Sequence, residues 1–176
     1  LNDIFAGKLV IGDSSSGNMY IDGVTLSHIS GGVTLNSSGS NGSVEFGAGG
    51  ATIKLGTINA GNGITINGDV SAQSAIFNAD YDANGTGTFT IASGYDITST
   101  DNQSISITAN DIDIYSLGTI SSGTGSTTIA VSDSGTIGLG TSGNMTITVG
   151  ELGRITAGTL NIGDSSTGNI TVDGIS

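Results

Sequence analysis

Proline, cysteine and tryptophan are absent from the 176-residue chain, and only 10% of its residues are charged. Without cysteine there is neither a disulfide framework nor a thiolate metal site. The only histidine is His28, so a catalytic triad or a His-based zinc site cannot be assembled. Basic residues are almost missing as well: Lys8, Lys54 and Arg154 face 15 acidic residues, for a net charge of −12. A phosphate backbone is gripped by clustered Lys and Arg, so no nucleic acid is expected as a partner. The acid excess instead keeps a long, edge-rich object soluble. No apolar run approaches the length of a spanning helix and no signal peptide is present, so membrane insertion is not expected.

What the chain does have is 31 glycines, 35% hydrophobic residues, and a repeat. The words AGKLVIGDSSSGNMYID, from Ala6 to Asp22, return as AGTLNIGDSSTGNITVD, from Ala157 to Asp173, at an offset of 151 residues. The chain therefore reads as one continuous segment, residues 1–176, made of a long repeat (1–151) and the opening of the next copy (152–176). Leu1 stands inside a motif, so both ends are expected to be cuts in a longer array.

A shorter word, Leu-x-x-Ile-x-small-Gly, recurs inside the long one. Its copies are Leu1, Ile4, Gly7; Leu26, Ile29, Gly32; Leu55, Ile58, Gly61; Leu117, Ile120, Gly123; and Leu152, Ile155, Gly158. The starts are 25, 29, 62 and 35 residues apart, the gap of 62 counting as two units with one degenerate start. A period of about 25 residues indicates a solenoid, with about six coils in each long repeat.

Apolar residues alternate with polar ones in short runs: Leu9 and Ile11, Met19 and Ile21, Val33 and Leu35, Val44 and Phe46, Ile64 and Ile66. Clusters of Gly, Asn, Asp and Ser bound them, which is the signature of short strands and turns. Alternation fails from Asn78 to Gly87, where a protruding loop or irregular coil is expected. A sandwich has no need of one motif in every turn, and hairpin proteins favour two-residue turns between longer strands. The expected fold is all-β, a parallel β-helix, right-handed by the general chirality of parallel crossovers. Its apolar side chains stack inside, and Ser, Thr, Asn and Asp form ladders outside.

The phrases LGRITAGTLNIGDSSTGNITVDG and NDIDIYSLGTISSGTGSTTIAV resemble repeats of the filamentous-haemagglutinin-like and giant β-strand-repeat surface proteins of bacteria. The resemblance covers essentially the whole chain. It implies a right-handed parallel β-helix, export to the cell exterior, often by two-partner secretion, and service as an adhesin, matrix fibre or surface filament.

Enzymes that cut acidic polysaccharides also use this fold, which makes the carboxylates candidates. Asp111 and Asp113 flank Ile112 and, by strand alternation, share one outer face. Such a pair can serve as acid and base on a glycoside or offer oxygen ligands to Ca²⁺; the plainer reading is a solvated acidic face. No Lys or Arg lies near them in sequence to meet a sugar carboxylate. Asp80 and Asp82, around Tyr81, form a second cluster that could be a Ca²⁺ loop or a carbohydrate contact, against the plainer reading of a surface loop. If the coils stack in register on the Leu-x-x-Ile word, Asp3 and His28 are neighbours. Tyr20, Tyr95 and Tyr115 are candidate contact faces for lateral association.

The expected function is a non-catalytic, extracellular structural repeat. Its partners are adjacent repeats of the same protein, neighbouring fibres and cell-surface glycans. The alternative is a polysaccharide-active or carbohydrate-binding module. Binding to ice or a flat surface would need the same Thr pair in coil after coil, and pairs such as Thr146 and Thr148 or Thr86 and Thr88 do not line up in the sequence.

Overall fold

A computed structural model describes residues 3–175; Leu1, which opens the first Leu-x-x-Ile copy, lies outside them, as do Asn2 and Ser176. The alternation seen in sequence becomes strands. The first circuit is β1 (Leu9–Asp13), β2 (Met19–Ile21) and β3 (Val24–Leu26). The second is β4 (Val33–Ser37), β5 (Val44–Phe46) and the first half of β6 (Ala51–Ala60). The second half of β6, with β7 (Ile64–Ile66) and the first half of β8 (Val70–Asn78), makes the third. The rest of β8, β9 (Thr88–Ile91) and β10 (Asp96–Ser99) make the fourth, and β11 (Ile105–Ala109), β12 (Asp111–Ile114) and β13 (Thr119–Ser121) the fifth.

After these five regular circuits comes an interrupted one. It contains β14 (Ser126–Val131), β15 (Ile137–Leu139), β16 (Met145–Ile147), the one-turn helix α1 (Val149–Leu152) and β17 (Ile155–Thr156). β17 already lies in the second copy of the long repeat, which continues with β18 (Thr159–Ile162) and β19 (Ile170–Val172). Every strand pair among the described residues is parallel, and the result is a β-solenoid.

Three columns of strands form the walls. One runs β1, β4, β6, β8, β11, β14, β18; a second runs β3, β6, β8, β10, β13, β17; a third runs β2, β5, β7, β9, β12. In the first, Ile11, Leu35, Ile58, Phe77, Ile107, Ile129 and Ile162 are successive ladder partners. The circuits between them are unequal: the shortest return runs from Ile58 to Phe77, and the longest from Ile129 to Ile162. Ile11 and Ile162 are six circuits apart, and the sequence offset of 151 residues brings the second copy back onto the wall it started from.

No circuit can bury its own inner face, so the core is a stack shared between neighbours. Phe46, Phe77 and Phe89 are fully buried along it. The rings of Phe46 and Phe77 meet edge-on at 6.5 Å, and those of Phe77 and Phe89 are tilted at 5.2 Å, separations at which aromatic pairs add to plain area burial. Outside, Asn36, Asn59 and Asn78 are ladder partners, and the Asn59 amide donates to the Asn36 side-chain oxygen at 2.8 Å. Thr25, Thr52, Ser71, Thr98, Ser121 and Thr156 form a single hydroxyl column on the second wall.

The Leu-x-x-Ile copies do not share one column. Ile120 and Ile155 are ladder partners on the second wall, but Ile58 lies on the first, opposite Leu35 and Phe77. Leu26 is buried, whereas Leu117 is 79% exposed with φ at 67°. Circuits of unequal length carry a fixed word to different corners. Near the start of the chain, Ala6 bridges to Ile29, a register that sets Phe5, rather than Asp3, opposite His28. The Phe5 and His28 rings stack at 4.5 Å. Tyr20 and Tyr115 are exposed, but Tyr95 packs against the core.

Candidate functional site

The third wall is where the regular pattern breaks. After β12 the backbone ladder stops; the three strands β16, β15 and β19 form a separate parallel sheet. β15 and β16 are parallel with register Ile137 to Met145, so the chain doubles back through residues 140–144. Parallel neighbours ordinarily need a crossover of a dozen or more residues. The short return is possible because Gly138 lacks a side chain: a Cβ there would lie 2.2 Å from the Thr141 carbonyl oxygen.

Side chains replace the missing ladder. The Thr146 amide donates to Asp111 Oδ1 at 2.9 Å, and the Ile114 amide donates to Glu151 Oε1 at 3.1 Å. Arg154 Nη1 donates to the Ile114 carbonyl at 2.8 Å. Both backbone groups of Ile114 are therefore held by side chains where another strand would have held them. Glu151 is 7% exposed. It is fixed by a capping box, in which Thr148 N and Oγ1 each donate to Oε2 at 2.8 Å and the Glu151 amide donates to Thr148 Oγ1. That reciprocal pattern satisfies the free amides at a helix start.

Next to this splice is a notch of about 250 Å³, lined by Asp113, Ile114, Tyr115, Ser116, Thr148, Glu151 and Arg154. Asp111 and Asp113 do share the outer face of β12, opposite Thr88 and Thr90. They differ in environment. Asp111 Oδ1 is occupied by the Thr146 amide and its neighbour's amide, Ile112 N, at 2.9 Å. The Asp113 carboxyl is raised above the usual carboxylate range, chiefly by burial and then by the negative charges of Asp111 and Glu151. Arg154, remote in sequence, is in the notch with Asp113. The basic group absent from the sequence neighbourhood is thus supplied by the fold.

Glu151 escaped sequence reasoning altogether. The Thr148-x-x-Glu151 spacing was its one available signal.

Asp80 is 1% exposed and organises the irregular segment between β8 and β9. It accepts from the Asn84 and Gly85 amides at 3.1 Å and from Ser132 Oγ at 2.6 Å. Asp82 is exposed and accepts from the Asn84 side chain at 2.9 Å. The two carboxylates serve different tasks, and Asp80 has both oxygens engaged by the protein's own donors. Among the described residues, no three His, Asp or Glu side chains gather into a metal-binding group. Among them, too, no helix is long and apolar enough to cross a membrane.

The fold and the repeat define the class: a β-solenoid repeat segment. No family model, curated protein or solved structure matches the chain.

Proposed function

We propose that the long repeat is a structural unit of an extracellular bacterial filament or adhesin shaft, akin to the filamentous-haemagglutinin-like proteins its words resemble. One observation carries this reading: the second copy rejoins the first wall through β18 and rebuilds the same corner. Ser15 N donates to Asp13 Oδ1 at 2.8 Å, and Ser166 N donates to Asp164 Oδ1 at 2.8 Å. Asp13 N donates to Ser16 Oγ at 2.9 Å, as Asp164 N does to Thr167 Oγ1. A unit that returns to its starting geometry can be added without limit, and six circuits at about 4.8 Å each advance a rod by about 29 Å.

Electron microscopy of the native assembly tests the proposal. A shaft with an axial repeat near that length is the expected image, and globular particles would count against it. The Asp113–Arg154 notch favours a second reading, a carbohydrate-binding or polysaccharide-active module on the same rod. Release of reducing ends from acidic glycans, abolished by Asp113→Asn, would establish the enzymatic form of it.

A further inference from the structure

The first wall differs from the other two in charge. Its inner strands are β4, residues 55–60 of β6, residues 74–78 of β8, β11 and β14, and none of them contains Asp, Glu, Lys or Arg. Thr34, Thr57, Ile76, Ser106 and Thr128 are successive partners in its central outward column. By contrast Asp96 lies on the second wall, and Glu45, Asp111 and Asp113 on the third. In a chain with a net charge of −12, two rods repel wherever such carboxylates meet. The first wall is the face on which they can touch without bringing like charges together.

This wall also has a socket and a knob. Thr34, Leu55 and Thr57, with Gly31 and Gly32, which have no side chains, border a depression of about 250 Å³. Ile76 closes one side of it and Lys8 stands at the rim. Leu55 and Ile76 are 38% and 49% exposed although they lie mid-wall, so apolar surface that gains about 25 cal/mol per Å² when covered is left in water at the centre of the uncharged face. A second rod of the same kind suits this surface. It repeats the same columns at the same spacing of about 4.8 Å, so contacts recur along the length rather than at one point.

We infer that the first wall packs face to face on the first wall of a second copy of this chain, Ile76 of each seated in the depression beside Gly32 and Thr34 of the other. Ile76 is one ladder step from Thr57, and Thr34 is one step away on the other side. Mutual seating therefore requires antiparallel rods, with a two-fold axis at Thr57, and each copy presents the same patch to the other. One long repeat offers roughly 500 Å² of this wall, from six circuits of about 4.8 Å and five residues of about 3.3 Å. Single chains thus pair weakly, and arrays of two or more long repeats pass the roughly 1,200 Å² total of a stable interface. The inference rests on the shaft reading above and adds to it the partner, the face and the polarity of bundling.

The chain has no cysteine, so a single introduced thiol is unambiguous. Sheets packed face to face lie about 10 Å apart, a gap that a short bismaleimide spans. Chains carrying Thr57→Cys should give a linked dimer whose yield rises with protein concentration, and also with salt, which screens the repulsion between the acidic walls. Chains carrying Thr128→Cys should not link, because that residue is three ladder steps from the axis and about 29 Å along the rod from its mate. Adding Ile76→Glu, on an outward side chain, should abolish the Thr57 link, whereas Thr98→Glu on the second wall should leave it intact; circular dichroism confirms that each variant is folded. No Thr57 dimer at high concentration and salt overturns the inference. Equal linking at residues 57 and 128 also overturns it, since that is the mark of parallel rods. So does a chain that stays single but adsorbs to a crystalline polysaccharide through Ile76, which would assign the wall to a foreign surface. Micrographs showing single shafts with the expected axial repeat would strike only the pairing and leave the shaft reading in place.

Discussion

Removing the Glu151 carboxylate tests whether side chains truly replace a strand at the break in the third wall. Glu151→Ala strips the acceptor from the Ile114 amide and from Thr148 N and Oγ1. Thr148 is exposed and turns to water, so its loss is that of a helix cap, about 1 kcal/mol. Ile114 is buried, and an unsatisfied buried amide costs about 1–3 kcal/mol. The expected destabilisation is about 2–4 kcal/mol, with Glu151→Gln intermediate because it keeps one side-chain oxygen. Urea unfolding followed by far-UV circular dichroism measures it; with a slope of about 2 kcal/mol/M, the midpoint falls by roughly 1–2 M. Amide exchange adds a local readout, since Ile114 should lose protection while Ile91 and Ile66, one and two circuits up the same ladder, keep theirs. An alanine variant within about 0.5 kcal/mol of wild type, the scatter of ordinary surface substitutions, with Ile114 still protected, would refute the reasoning.

Two further outcomes are expected. Phe77→Ala opens the middle of the aromatic run between Phe46 and Phe89 and should cost about 3–5 kcal/mol in the same urea titration. Asp113 has a raised pKa in the fold, so the folded state binds its proton more tightly than the unfolded chain does. Its contribution is fully present below the ordinary value of 3.8 and is lost as pH rises through the folded value. Asp113→Asn should therefore be more stable than wild type at neutral pH, and the difference between the two should close on acidification; a variant weaker at neutral pH refutes the assignment.

The sequence made the walls legible because burial on one face forces a two-residue alternation, and Val33, Leu35, Val44, Phe46, Ile64 and Ile66 all point inward as that pattern requires. The irregular stretch from Asn78 to Gly87 was legible as well, though not the burial of Asp80, which depends on Ser132, 52 residues away. The Leu-x-x-Ile word misled because circuit length varies, from the short step between Ile58 and Phe77 to the long one between Ile129 and Ile162. Spacing along the chain then ceases to equal height along the rod, and Leu55 and Leu117 end on the surface. The pairing of Arg154 with Ile114, and with the notch around Asp113, spans 40 residues. Neither alternation nor spacing reports on a contact of that range.

The break after β12 also gives the rod a direction of weakness. Two walls run through that level on backbone ladders, β13 to β17 and β14 to β18, while the third is sewn by Asp111, Glu151 and Arg154. Bending that opens this wall parts a few side-chain bonds before any ladder has to give. Recurring once in every copy of the long repeat, on the same side, such a seam would let a long shaft curve toward a preferred side and yield one joint at a time under shear.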